Sequence, residues 1–114
     1  MNQWTGLLAA ALFSLPVLAH HGDQPAPGQP LVIDVRTPDE YQREHVRTAI
    51  NIPYNEIAGR IAAVAPDRDT RIVLYCRSGN RSDIAEQALR QMGYRQIDNK
   101  GSLGDMLRGG YQTH

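Results

Sequence analysis

The sequence predicts a small α/β domain built on a buried parallel sheet. Two short, almost wholly apolar runs, Leu31–Val35 (LVIDV) and Ile72–Tyr75 (IVLY), are rich in β-branched residues, as strands covered on both faces must be. Apolar residues at helical spacing lie between and after them, so strands and helices alternate along the chain. At 114 residues the chain is long enough for one such domain and too short for two.

Taken in order, the residues justify each element. After LVIDV, Thr37-Pro38-Asp39-Glu40 supplies an N-cap, a proline for the first helical position and acids for the first turn. Thr37 and Glu40 have the spacing of a capping box. Ala49–Ile52 is a weaker strand candidate. Ile57, Ile61 and Val64 then repeat at helical spacing until Pro66 stops them. IVLY leads into a helix opening near Arg81 or Ser82, with a stripe of Ile84, Ala85, Ala88, Leu89 and Met92 that closes at Gly93, a natural C′ residue. Arg95–Ile97 reads as a last short strand, and Leu103, Met106 and Leu107 as a short final helix before Gly109-Gly110.

The N-terminal stretch differs. Residues 1–19 carry no Asp, Glu, Lys or Arg, and Leu7–Leu15 is an apolar run too short to span a bilayer. Val17-Leu18-Ala19 places small residues where a signal peptidase cuts, so 1–19 reads as an export signal cleaved before His20, with the periplasm as destination. The n-region lacks a basic residue; the competing reading, a buried N-terminal helix, would show a polar face that this run lacks. Residues 20–30 read as a flexible lead-in rich in Gly and Pro, in which His20 and His21 form a solvated tail or at most a weak metal site. The folded domain is then 31–114.

Charge and cysteine content exclude several functions. Twelve Lys and Arg balance twelve Asp and Glu, so no basic excess points to nucleic acid or to an anionic membrane. A lone Cys excludes an internal disulfide and any multi-cysteine metal site.

That cysteine carries the chemistry. Cys76 ends a buried strand, and Arg77-Ser78-Gly79-Asn80-Arg81-Ser82 leads from it into a helix. Parallel sheets place their working sites there, beyond the carboxyl ends of the strands. A tight turn can aim successive backbone N–H groups inward, and Gly79 permits the backbone conformation this requires. The helix N-terminus and the charges of Arg77 and Arg81 act in the same direction. Together they favour thiolate over thiol, and the expected Cys76 is ionised, exposed and nucleophilic. A cysteine that is only a core hydrophobe needs no such loop after it. Asp34 and Arg36 lie at the same edge; an ion pair fixing the turn accounts for both, and Arg36 alternatively adds positive potential to the site.

LVIDVRTPDEYQREHV-x-x-AINIP followed by LYCRSGNRS-x-x-A resembles the rhodanese (sulfurtransferase) domain from about Leu31 to Tyr94. In its short form with an export signal, the chain is similar to the periplasmic, phage-shock-type members. The resemblance implies a rhodanese-like α/β domain, a parallel sheet of about four strands ordered 4-3-1-2 and flanked by helices on both faces. It also implies Cys76 as the persulfide-forming nucleophile, Arg77 to Ser82 as the substrate cradle, and no cofactor or metal. The partners it implies are thiosulfate as anionic donor and cyanide or a thiol as acceptor. A non-enzymatic persulfide carrier docking to another exported protein would use the same loop. Related phosphatases carry a longer loop between Cys and Arg than the four residues separating Cys76 from Arg81, which argues against phosphoryl chemistry here. The chain departs from the family where Glu44 and Thr48 replace glycines. If either position demands positive φ, the turn before the second strand is strained. His45 matches the family's histidine and reads as a structural hydrogen-bonding group.

Overall fold

The computed structural model describes residues 27–114. The expected export signal, His20 and His21 lie outside the described residues.

The order is β1 (Leu31–Asp34), α1 (Pro38–Arg43), β2 (Ile50–Asn51), α2 (Ile57–Val64), β3 (Ile72–Cys76), α3 (Asn80–Gln91), β4 (Ile97–Ser102) and α4 (Leu103–Arg108). The four strands form one parallel sheet in the order β2-β1-β3-β4, the expected arrangement read from the other edge. Its register follows from full burial of β1 and β3, with Leu31 opposite Ile72 and Asp34 opposite Tyr75.

Alternation along the strands separates two cores. Leu31, Ile33, Ile72, Leu74 and Cys76 face α2 and α3, where Ile57, Ile61, Ala85 and Leu89 meet them. Val32, Val73 and Tyr75 face the other side, toward Tyr41 of α1 and Leu103 and Met106 of α4. Each fully buried aliphatic side chain contributes about 1.5–3 kcal/mol relative to exposure. Helices therefore flank both faces, as expected. Among the described residues no helix is long and apolar enough to cross a membrane.

The caps are those the residues dictate. Thr37 accepts from the Glu40 N–H while the Glu40 side chain returns to the Thr37 N–H, completing the capping box. Helix α3 begins slightly earlier than expected, at Asn80, with Gly79 as its N-cap. Its C-terminal end is as read, with Gly93 at φ +96°.

Three regions depart from expectation. The last strand extends through Ser102, well past Ile97, and Asp98-Asn99-Lys100-Gly101 holds edge positions that need no apolar side chain. A bulge there shifts the register opposite Leu74 and Tyr75, with Gly101 at φ +88°. The C-terminal residues, to which the sequence assigns no element, pair with the turn after α1: Val46 bridges Thr113, and the His114 N–H donates to the His45 carbonyl (2.8 Å). Finally, the feared strain at Glu44 and Thr48 does not arise. Glu44 is extended (φ −166°), and no described residue other than glycine has positive φ.

Candidate active site

The chain runs from β1 outward to β2 and then crosses to β3 on β1's other side, so strand order reverses between β1 and β3. Cys76 is the last residue of β3, at the carboxyl end of that switch. The next residues turn sharply, with Gly79 at φ +98°, and enter α3. A side chain at Gly79 would strain the left-handed backbone that brings the turn back over the sulfur.

The turn faces the cysteine. The Gly79 N–H donates to Cys76 Sγ (2.9 Å), and the backbone N–H groups of Ser82 and Ser78 also favour its thiolate. The Ser82 hydroxyl lies 3.6 Å from Sγ and 2.9 Å from the Gly79 carbonyl, so it can turn from that carbonyl to an ionised sulfur. Burial is the largest single influence and pushes the thiol up. The hydrogen bonds of Ser82, Gly79 and Ser78 together outweigh it and hold the Cys76 pKa below its ordinary value.

Two expectations are corrected here. First, the sulfur is not exposed: Cys76 has 0% accessible surface and belongs to the core cluster beneath α3. Alternation explains this, since Cys76 follows Ile72 and Leu74 onto the same face of β3. The sulfur is buried, yet the amides of its loop still surround it. Second, Arg81 is not a free charge. Its guanidinium is bidentate on Glu40, Nη1 to Oε1 at 2.7 Å and Nη2 to Oε2 at 3.0 Å. Arg77, Ser78 and Asn80 are exposed, and Gly79 and Arg81 half-buried.

Glu40 is the residue whose part the sequence hides. The same carboxylate that closes the α1 capping box ties that helix to the cysteine loop, accepting from Thr37 N–H (3.1 Å) and Thr37 Oγ1 (3.0 Å) as well as Arg81. Only the cap is visible in the spacing; the partner lies 41 residues away. Arg81 foremost, helped by Thr37, holds the Glu40 carboxyl at about 2 against an unfolded value of 4.5. A lowered carboxyl contributes stability that is complete above 4.5 and is lost as pH falls through about 2. Glu40→Gln should therefore cost about 1–2 kcal/mol at neutral pH, the partial exposure of the pair keeping the value modest. Urea unfolding checks it: the gap between wild type and variant should close toward pH 2, and a gap of constant size would contradict the pairing.

Asp34 and Arg36 form the buried pair. Arg36 donates Nε to Oδ1 (2.9 Å) and Nη2 to Oδ2 (2.6 Å), and Nη2 also reaches the Glu44 carbonyl (2.6 Å). Tyr75 donates its hydroxyl to Asp34 (2.7 Å) and accepts from the Val46 N–H (3.0 Å). The carboxylate thus fixes the turn at the sheet's carboxyl edge. His45 donates from Nδ1 to the Tyr41 carbonyl (2.7 Å) and stacks on the Tyr41 ring, the structural part expected of it.

A parallel α/β domain that sets loop amides and a helix N-terminus around one cysteine at a strand end has an arrangement suited to holding a thiolate or another small anion. The chain belongs to the rhodanese-like family of sulfurtransferases, whose domain matches residues 18–103. It is 46% identical over 103 residues to thiosulfate sulfurtransferase PspE of Escherichia coli K12, covering 89% of each chain. It is also 39% identical over 80 residues to a sulfurtransferase of Allochromatium vinosum, covering 70% of this chain and 66% of that one. A solved structure described as a rhodanese with anions from E. coli superposes with a TM-score of 0.70 at 40% identity, covering 75% of this chain and 98% of that one.

Proposed function

We propose that this sulfurtransferase takes the outer sulfur of thiosulfate onto Cys76 and passes it to cyanide or a thiol. One observation carries the reading: loop amides converge on Sγ and lower its pKa in spite of full burial. The Cys76 thiolate attacks the outer sulfur, the sulfur–sulfur bond of thiosulfate breaks, and sulfite leaves with the bonding pair. Cyanide then attacks the outer sulfur of the persulfide anion, forming thiocyanate and returning the thiolate. Neither step needs a proton relay, because thiolate and sulfite are adequate leaving groups at neutral pH.

In this mechanism the N–H groups of Ser78, Gly79 and Ser82 stabilise first the thiolate and then the persulfide. Asn80 opens the helix whose N-terminus faces the anion, Arg81 anchors the loop through Glu40, and Arg77 supplies the free positive charge. The donor reaches the covered sulfur when the exposed loop residues shift. Export to the periplasm through residues 1–19 belongs to the same proposal, and an exported protein whose mass begins at His20 is its test.

Incubating the protein with thiosulfate should add the mass of one sulfur atom, and cyanide should remove it as thiocyanate. A protein that takes up no sulfur would refute the reading. Arg77→Ala should raise KM for thiosulfate about tenfold with a smaller effect on kcat, as loss of one charge-assisted contact implies. Steady-state kinetics at constant ionic strength checks this, and an unchanged KM would remove Arg77 from donor binding.

A further inference from the structure

The end of β4 lies against the cysteine loop, and it reaches that place through its bulge. Leu74 of β3 stands opposite Asn99 and Tyr75 opposite Gly101, so Lys100 is the extra residue. Gly101, at φ +88°, brings its backbone beside Gly79: a Cβ built on Gly79 would stand 3.6 Å from the Gly101 Cα. Gly79 is the residue whose N–H donates to Cys76 Sγ (2.9 Å). Gly101 is confined from its other side as well, since a Cβ there would come within 3.0 Å of the Asp105 carboxylate in the α4 cap. The two glycine backbones therefore stand side by side where the turn closes over the sulfur, and β4 acts as its backstop.

One side chain ties this arrangement together. Asn99 shares the face of Leu74, toward α3. Its Oδ1 accepts from the Gly101 N–H (3.0 Å), and its Nδ2 donates to Asp83 Oδ1 (2.7 Å) and Glu86 Oε1 (3.2 Å) on α3. Asp83 closes the circuit, because its N–H donates to the Gly79 carbonyl (3.1 Å). The path through Gly79, Asp83, Asn99 and Gly101 thus returns to Gly79 and fixes the bulge against the first turn of the helix. Ladder pairing with β3 needs neither the bulge nor a bond to α3.

We propose that Asn99 is a positioning residue for the sulfur chemistry, holding the β4 bulge so that Gly79 keeps its N–H on Cys76 Sγ. The inference rests on the reading of Cys76 as the nucleophile and adds a residue of the next strand to its support. Asn99 acts through Gly101 and Asp83 and donates nothing to the sulfur itself. Without its side chain the bulge loses its anchor on α3, Gly79 gains room to move, and its hydrogen bond to the thiolate weakens. Hydrogen bonds to the charged form of a group are what keep that form populated. Arg81, the charged group that acts on the sulfur from α3, is held by Glu40 and has no bond to Asn99, so its influence stays the same.

The test titrates the thiolate of the full-length protein by its ultraviolet absorbance, which needs no reagent to reach the covered sulfur. Cys76 is the single cysteine, so Cys76→Ser supplies the blank. Asn99→Ala should raise the midpoint by about one unit, as the loss of about one hydrogen bond implies. Asp83→Ala should titrate higher than Asp83→Asn, since both lose the charge and only the asparagine can still accept from Asn99. This pair decides the matter if Asn99→Ala does not fold. Urea unfolding separates structure from positioning: an Asn99→Ala protein that is less stable but titrates as wild type would overturn the proposal. Equal midpoints for the two Asp83 variants would overturn it too. Sulfur uptake from thiosulfate is read in parallel. A wild type that takes up no sulfur, while Asn99→Ala still moves the midpoint, would refute the persulfide step and uphold the positioning of the thiolate.

Discussion

Cys76→Ser should abolish sulfur uptake from thiosulfate, by at least about a thousandfold, and leave the domain folded. The serine oxygen can still accept from the Gly79 N–H, whose distance to Sγ is 2.9 Å, so the loop keeps its shape. What it cannot supply is an anion at neutral pH or an oxygen that forms a stable bond to sulfane sulfur. Mass spectrometry after thiosulfate treatment reads uptake, and thermal unfolding reads the fold; a sulfur adduct on the variant would show that another group does the chemistry. The wild-type protein offers a second readout. In the proposed mechanism the reactive species is the thiolate, so uptake should fall as pH drops through the Cys76 pKa. Burial pushes that value up, but the opposing hydrogen bonds of Ser82, Gly79 and Ser78 bring it below the 9.0 of an ordinary thiol. The rate plateau should accordingly reach below pH 9.0. A midpoint at or above that value would mean that burial wins and the loop does not activate the sulfur.

The turn over the cysteine was readable because its geometry is local: strand end, glycine, small polar residues and helix start are contiguous, and each has one plain physical use. LVID and IVLYC were readable because strands buried on both faces have no freedom to be polar. Asp98-Asn99-Lys100-Gly101 failed as a strand for the opposite reason. An edge strand is stabilised by pairing with β3, and that pairing leaves no mark on side-chain pattern. The engagement of Arg81 by Glu40 was hidden because a contact between residues 41 apart is a product of topology. The burial of Cys76 had a usable signal that the polar loop after it obscured: counting by twos from Ile72 through Leu74 lands on Cys76, inside the same core.

The Asp34 network makes the largest stability prediction. Its carboxylate, fully buried, accepts from the Arg36 backbone N–H (2.9 Å), from the Arg36 guanidinium and from Tyr75. Arg36 is 6% exposed and keeps only the Glu44 carbonyl if Asp34 is lost. Asp34→Ala therefore strands a buried cation and a buried hydroxyl together, and should cost about 3–5 kcal/mol, a large share of the stability of a domain this size. Asp34→Asn keeps an oxygen for Tyr75 and removes the charge, so its loss should be smaller. Urea midpoints with unchanged slope measure both. The same measurements decide between the two uses the sequence left open for this pair. If the pair only fixes the turn through the Glu44 carbonyl and the Val46 N–H, sulfur uptake by Asp34→Asn will track its folded fraction. A variant that stays folded and loses uptake would instead place the Arg36 charge, freed of its partner, within the sulfur chemistry itself.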